Sequence, residues 1–307
     1  MNLLRQDSPS PLHAVRECVA AEQPDEAAST AASQSSLAAP AVPPLEPRAP
    51  SWEDVWIVIP AYNEARTIRG LAEAALALCP RVLVVDDGST DSTAQRLEGL
   101  ELTLLRHPRN QGKAASLRTA FRHALARDAA CVVTLDGDGQ HDPNDASKLL
   151  AVWRRRPGHL VIGSRLHDRS RFPPARYAAN RFACFWISWA AGHPIADSQS
   201  GFRVYSNAVM AVATSGRVRS RGFTLESEIL IEAAHQGHPT LAVTIPGRYP
   251  IDARASHYRA VVDTARIVVM VAGRLLRRGM HPLGLWRSLK RPQVLAVPAS
   301  AVLDRQG

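Results

Sequence analysis

From Trp52 onward the hydrophobic positions fall into two alternating rhythms. Trp56-Ile57-Val58-Ile59-Pro60 is a short unbroken apolar run closed by proline, the pattern of a strand buried on both faces. Ala65 to Leu78 carries apolar residues at helical spacing and stops at Pro80. Arg81-Val82-Leu83-Val84-Val85 predicts a second strand, ended by Asp86-Asp87-Gly88-Ser89-Thr90-Asp91. Ser92 to Leu97 reads as the start of a helix with Asp91 or Ser92 as its N-cap. Leu102 to Leu105 predicts a third strand, Lys113 to Arg127 a helix, and Cys131 to Leu135 a fourth strand. This alternation predicts an α/β fold: a mostly parallel central sheet flanked by helices, with binding loops at the C-terminal ends of the strands.

After Asp142 the alternation loosens. Ala146 to Arg155, Arg181 to Ala191, Thr224 to His235 and Ala260 to Arg278 read as helices, and His159 to Gly163 and Pro239 to Ile245 as strands. Residues 1–51 are rich in Ala, Pro, Ser and Glu with little periodicity, a composition that cannot offset its ordering entropy, so they read as a disordered tail. The expected organisation is a tail over 1–51, one domain over 52–260, a basic amphipathic helical extension over 261–291 and a short tail over 292–307.

Composition narrows the class. With 307 residues and 46% hydrophobic content the chain can build a sizeable core. It lacks the uninterrupted apolar run of about 18 residues that a spanning helix needs. Met1 to Ala20 is broken by Arg5, Asp7, His13, Arg16 and Glu17, unlike a signal peptide. Cys18, Cys79, Cys131 and Cys184 lie far apart with no CxxC, which argues against a disulfide framework or a zinc site and for a reduced, cytosolic setting. The net charge of +9 is unevenly placed: residues 265–291 hold six Arg and one Lys and no acid, whereas residues 1–51 hold three Arg against six acids. A polyanion or an anionic membrane face could sit on the basic end.

Candidate chemistry gathers at the strand ends. In Asp136-Gly137-Asp138 two carboxylates two residues apart can aim oxygens at one hard cation such as Mg²⁺ or Mn²⁺, and Gln140 can add another. The plainer reading is a polar turn that favours Asp and Gly. Asp86 and Asp87 can accept from a base N–H or a ribose hydroxyl, as acids do in dinucleotide folds; capping alone accounts for Asp91 and Ser92 but not for that pair. In Pro60-Ala61-Tyr62-Asn63-Glu64, Tyr62 offers a flat face to a base, although Glu64 also suits an ordinary helix start.

The combination resembles the family 2 inverting glycosyltransferases, of the nucleotide-diphospho-sugar transferase fold called GT-A. The matching segments are Ile59 to Glu64, Val85 to Asp91, Asn110-Gln111-Gly112-Lys113 and Leu135 to His141, in the family's order. Gly163-Ser164-Arg165 and Asp197-Ser198-Gln199-Ser200-Gly201-Phe202-Arg203 make it most like the polyprenyl-phosphate (dolichyl-phosphate-type) mannosyl and glucosyl synthases. The resemblance implies that Pro60, Ala61, Tyr62 and Glu64 line the nucleotide, with Asp86 or Asp87 on the base and Lys113 and Gly137 close by. It implies that Asp136, Asp138 and Gln140 hold Mg²⁺ or Mn²⁺ against the diphosphate, and that Arg203, joined by Arg165, reaches phosphate. No GxGxxG follows the first strand and His107 stands where a Walker loop needs glycine, so a dinucleotide enzyme or a P-loop ATPase is disfavoured.

The expected activity is inverting transfer of a hexose from a nucleotide diphosphate sugar, of GDP-mannose or UDP-glucose type, to polyprenyl phosphate. A phosphate monoester is already an oxyanion near neutrality, because its second pKa is about 6, so it needs cations rather than a base. A hydroxyl acceptor on a glycolipid or other small molecule is the alternative; it needs a general base, for which Asp197 is the first candidate and Glu226 or Glu228 the next. The QxxRW string of processive relatives is absent, which argues against polymer synthesis. Arg169, Arg171, Arg176 and Arg181 add cations near Arg165, and Ser256-His257-Tyr258-Arg259 resembles a string bordering the active site in bacterial relatives. Four aromatics within Arg181 to Trp189 and the basic extension together predict a cytoplasmic enzyme held peripherally at the inner face of the membrane. The Val/Leu-rich spacing of that extension, without interleaved stacking aromatics, argues against nucleic acid as a partner.

Overall fold

The computed structural model describes residues 51–166, 174–220, 222, 224–246 and 260–297. Arg169, Arg171, the side chain of Arg176, the 256–259 string and most of the 1–51 tail lie outside them.

Strands β1 (Val55–Ala61), β2 (Val82–Asp86), β3 (Thr103–Arg106) and β4 (Cys131–Thr134) form where the apolar runs predict them. Helices α1 (Ile68–Leu76) and α2 (Lys113–Leu125) lie between them. Every residue of β2 and β4 is buried, which is why residues 82–85 and 131–133 are continuously apolar instead of alternating. Trp56 and Val58 face one apolar core with α2, and Val55, Ile57 and Ile59 face a second with α1, so the two helices cover opposite faces of the sheet. The helix expected at 92–97 shrinks to a 3-10 turn over Gln95–Leu97, and Asp91 accepts from Thr93 N at 2.9 Å ahead of it.

The second half adds α3 (Ala146–Arg155), β5 (Leu160–Ser164), α4 (Pro174–Ala191), β6 (Arg203–Ser206), α5 (Asn207–Thr214), α6 (Thr224–His235) and β7 (Thr240–Thr244). After these come α7 (Ala260–Arg277), α8 (Pro282–Ser288) and β8 (Val294–Leu295). The sheet order is β3-β2-β1-β4-β6-β5-β7-β8, and β6 runs antiparallel to β4 and β5 while the other pairs are parallel. Sequence reading misses β6, four residues directly after a polar loop. It also places residues 292–307 outside the domain, whereas β8 within them pairs with β7. The extension is likewise integral to the domain: Ile267, Val271 and Leu275 of α7 enter the core, and Arg274 pairs with Glu228 and Glu232 of α6. No described helix is long and apolar enough to cross a membrane.

Candidate active site

Parallel registration brings the C-terminal ends of β1, β2 and β4 side by side: Ala61 lies opposite Asp86, and Val58 opposite Thr134. The loop after β1 is laced to the loop after β2. Asn63 sits at a left-handed φ of 57°, and its side-chain oxygen accepts from Thr90 N at 2.8 Å. Asn63 N donates to Ser89 Oγ at 2.9 Å, and Glu64 N to Thr93 Oγ1 at 2.8 Å. Pro60, Ala61, Tyr62 and Glu64 are thereby fixed beside the β2 turn.

The two acids of that turn differ from expectation. Asp87 is buried and accepts from Gly112 N at 2.7 Å, Gln111 N at 3.0 Å and the His107 ring at 2.7 Å. Its carboxylate anchors the segment leading into α2 and is not presented to a base. Asp86 is also buried, accepting from Ser89 N at 2.9 Å and lying 3.1 Å from the half-exposed Arg106 guanidinium. Arg106, with Gly88, Ser89, Thr90, His107 and Pro108, lines a cleft of about 460 Å³. Gly88 is required there: its φ is +71°, and a Cβ would come within 2.5 Å of the Arg109 backbone.

After β4 the pattern reverses. Asp136 is half-buried, and its Oδ1 lies 2.6 Å from Lys113 Nζ, the first residue of α2. The same ammonium is 2.9 Å from Glu226 Oε2 on α6. Burial opposes ionisation of Asp136, but the charge and hydrogen bond of Lys113, with His141 and Arg165, together outweigh it and hold the pKa at about 2. Burial likewise works against the Lys113 ammonium, and its two carboxylates more than compensate, pushing its pKa above the usual lysine range. Asp138 goes the other way: burial, then the neighbouring Asp136 charge, raises its pKa. Gln140 N donates to Asp138 Oδ1 at 3.0 Å, while Gln140 Oε1 accepts from Arg165 Nη1 at 3.2 Å. His141 is buried with its Nε2 3.9 Å from Asp136, and burial, helped by the Arg165 charge, lowers its pKa to about 3, so it is neutral.

Two glycines make this packing possible. A Cβ on Gly137 would sit 3.1 Å from Pro60 O, and its carbonyl accepts from Thr67 Oγ1 at 2.6 Å, which seats the acid turn on the β1 loop. A Cβ on Gly201 would fall 2.5 Å from Asp136 Oδ2, so the loop before β6 can approach only as glycine.

Two expected catalytic residues are turned inward. Asp197 is buried and accepts from Arg165 N at 3.1 Å and Gln199 N at 3.3 Å. Arg203 is buried with four donor contacts: Ser200 O at 2.7 Å, Ser198 O at 2.9 Å, Glu226 O at 3.0 Å and Tyr205 Oη at 3.3 Å. A guanidinium so occupied braces the 198–203 loop against α6 and does not reach out to a phosphate. Arg165 does face the acids, and its buried Nε has no hydrogen-bond partner among the described residues.

The site therefore joins Asp136, Asp138, Gln140, Lys113 and Arg165. It also includes Glu226, weighed in the sequence only as a remote base, and His141, noted only as part of a string. Among the described residues no three His, Cys, Asp or Glu converge into a closed metal cage. Asp136, Asp138 and the Gln140 amide nonetheless offer hard oxygens of the kind that Mg²⁺ or Mn²⁺ takes, few enough to leave positions for substrate oxygens.

Residues 56–210 match the family described as Glycosyl transferase family 2. The chain belongs to that family. It is 28% identical over 200 residues to the UDP-N-acetylglucosamine–dolichyl-phosphate N-acetylglucosaminyltransferase of Methanococcus voltae, covering 58% of this chain and 79% of the relative. It is 28% identical over 200 residues to the polyprenol monophosphomannose synthase of Mycolicibacterium smegmatis, covering 62% of this chain and 75% of that one. Among solved structures, glucosyl-3-phosphoglycerate synthase from Mycobacterium tuberculosis aligns over 74% of this chain and 80% of its own, at a TM-score of 0.55 and 20% identity. That likeness places this family 2 glycosyltransferase in the GT-A fold.

Proposed function

We propose that this transferase moves a hexose, with inversion, from a nucleotide diphosphate sugar of GDP-mannose or UDP-glucose type to polyprenyl phosphate, using Mg²⁺ or Mn²⁺. The observation that carries the acceptor is the state of the carboxylates around the site. Asp197 is engaged by backbone N–H groups and Glu226 by Lys113. Glu228 accepts from Arg219 N and Ser220 N and pairs with Arg274. No acid weighed as a general base is poised to take a proton from a hydroxyl, whereas a phosphate monoester arrives already ionised. Names of relatives support this reading: besides the two above, an undecaprenyl-phosphate mannosyltransferase of Micrococcus luteus is 27% identical over 206 residues.

In this scheme the nucleotide lies along the 60–64 loop and the cleft beside Arg106, and its diphosphate approaches Asp138, Gln140 and Arg165. The dication, when bound, supplies charge neutralisation to the leaving nucleoside diphosphate. An acceptor phosphate oxygen attacks the anomeric carbon from the face opposite the leaving group. The new C–O bond forms as the bond to the diphosphate breaks, with no proton to remove. Lys113 keeps Asp136 ionised and fixed, and Arg165 brings positive charge to where the two phosphates meet. The lipid acceptor puts the reaction at a membrane surface, which the protein meets peripherally from its cytoplasmic side.

The test is transfer of labelled sugar from GDP-mannose and UDP-glucose to polyprenyl phosphate and to the free polyprenol, with Mn²⁺ and with EDTA. The proposal expects metal-dependent label in the phosphate lipid alone. Label on the polyprenol, or equal turnover in EDTA, would overturn it.

A further inference from the structure

Resting on the reading of a lipid-borne acceptor, the geometry points to the α4–α8 surface as the membrane-docking face, with an anionic bilayer as its occupant. On α4, Phe182, Phe185, Trp186 and Trp189 recur at helical spacing on the side opposite buried Cys184, Ile187 and Ser188. Trp186 and Trp189 stack with centroids 5.3 Å apart, and Phe182 and Phe185 meet Trp186 edge-on. About ninety residues later in the chain, α8 folds back beside this row, and Trp189 Nε1 donates to Met280 O at 2.9 Å at their junction. α8 then exposes Leu283 and Trp286, with Leu289 exposed just after it, and Trp286 is 62% exposed. Separated in sequence, the two apolar rows become neighbours only in the fold.

Charge selects the occupant. Neither α4 nor residues 265–291 contain an acid, while exposed Arg287 lies on α8, exposed Lys290 and Arg291 follow it, and Lys290 Nζ lies 4.4 Å from the Trp286 ring centroid. Aromatic and leucine side chains beside cations that have no carboxylate partner among the described residues suit the interface of an anionic bilayer, where each cation adds about 1 kcal/mol. The face is also tied to the site. Cys184 Sγ contacts Ser198 Oγ at 3.4 Å, and the adjacent Asp197 carboxylate holds Arg165 N, so a lipid phosphate entering beside α4 meets Arg165.

Cosedimentation of the full chain with phosphatidylglycerol–phosphatidylcholine vesicles, against phosphatidylcholine alone, tests this. Wild type should bind the anionic vesicles, and the paired substitutions Phe182→Ser and Trp286→Ser should weaken binding at least about tenfold. The charge-reversal pair Arg287→Glu and Lys290→Glu should do the same, which keeps the test open if the first pair fails to fold. Failure of wild type to bind either vesicle, or undiminished binding by both variants, would overturn the assignment. So would a wild-type dimer that the aromatic pair dissolves, without vesicle binding, because a second copy would then cover the face. Transfer to a short-chain polyprenyl phosphate in solution without vesicle binding removes this inference and leaves the proposed reaction. Vesicle binding without any transfer does the opposite.

Discussion

The turns after β2 and β4 carry the same sequence signal, paired acids at the C-terminal ends of strands that flank β1, and the fold uses them in opposite ways. Asp86 and Asp87 are sealed in, and Asp87 serves three donors, two of them backbone N–H groups. Asp136 and Asp138 stay partly open and face side-chain cations, Lys113 and Arg165. Asp87 builds the loop into α2; Asp136 uses the first residue of that helix. The contrast teaches that a carboxylate satisfied by backbone is architecture, whereas one left short of compensation, like Asp138 beside Asp136, stores an electrostatic cost that a ligand can relieve.

The sharpest way to break the contrast is Asp138→Asn. Transfer should fall by about 10³-fold or more, the scale of losing a key electrostatic contact in the transition state. Stability should move the other way. Because the folded state raises the pKa of Asp138, its ionised form costs the fold free energy at neutral pH. The Asn variant should therefore melt higher than wild type at pH 7, and the gain should vanish below about pH 4, where unfolded Asp is protonated too. Labelled-sugar transfer and thermal scans at the two pH values check both signs; a lower melting point would place Asp138 with the architectural acids.

Next in size is Gly201→Ala. Its Cβ would meet both Asp136 oxygens at 2.5 and 2.6 Å, forcing the carboxylate off Lys113. Turnover should drop about 10²-fold, the effect of a misplacement near 1 Å. The 198–203 loop should keep its Arg203 brace, but a buried carboxylate parted from Lys113 costs stability, so the melting point should fall. Unaltered turnover would show that Asp136 tolerates displacement and that the two turns differ less than the geometry indicates.

How far these roles were legible depends on what the signal encodes. Unbroken apolar runs and apolar positions at period 3.6 report burial, so β1, β2, β4, α3 and α6 lie where the sequence puts them. β6 is hidden because Arg203-Val204-Tyr205-Ser206 is short and opens on a buried arginine whose donors end on carbonyls of its own loop and of α6. Motif order identifies the site as a neighbourhood without saying which way a side chain turns. Asp197 and Arg203 therefore read as catalytic, yet both face inward, and Glu226 is revealed only by α6 packing beside Lys113. α7 reads as an appendage because it opens an acid-free basic stretch, although Arg274 is nearly buried between Glu228 and Glu232.

On the architectural side, Asp87→Asn should cost about 2–3 kcal/mol in urea unfolding, since one Asn cannot accept from Gln111 N, Gly112 N and His107 as a carboxylate does. The folded fraction should keep transfer within about tenfold of wild type, because its α2 still delivers Lys113. Loss of transfer comparable to that of Asp138→Asn, at unchanged stability, would move Asp87 into the site.

Asp86→Asn is the smallest change and the one that sharpens the comparison most. The Asn side-chain oxygen can still accept from Ser89 N, and the lost attraction is to an Arg106 side chain that is half in solvent, so stability should shift by less than about 1 kcal/mol. Arg106 nevertheless lines the cleft beside the 60–64 loop, and Asp86 fixes its guanidinium there. Freed from that carboxylate, Arg106 would leave the donor's base less well seated. KM for the nucleotide sugar should therefore rise several-fold, by about 1 kcal/mol of binding, while kcat stays near wild type. An unchanged KM would make Asp86 an anchor like Asp87. A fall in kcat at constant KM would instead tie it to the reacting centre, and the division of labour between the two turns would fail.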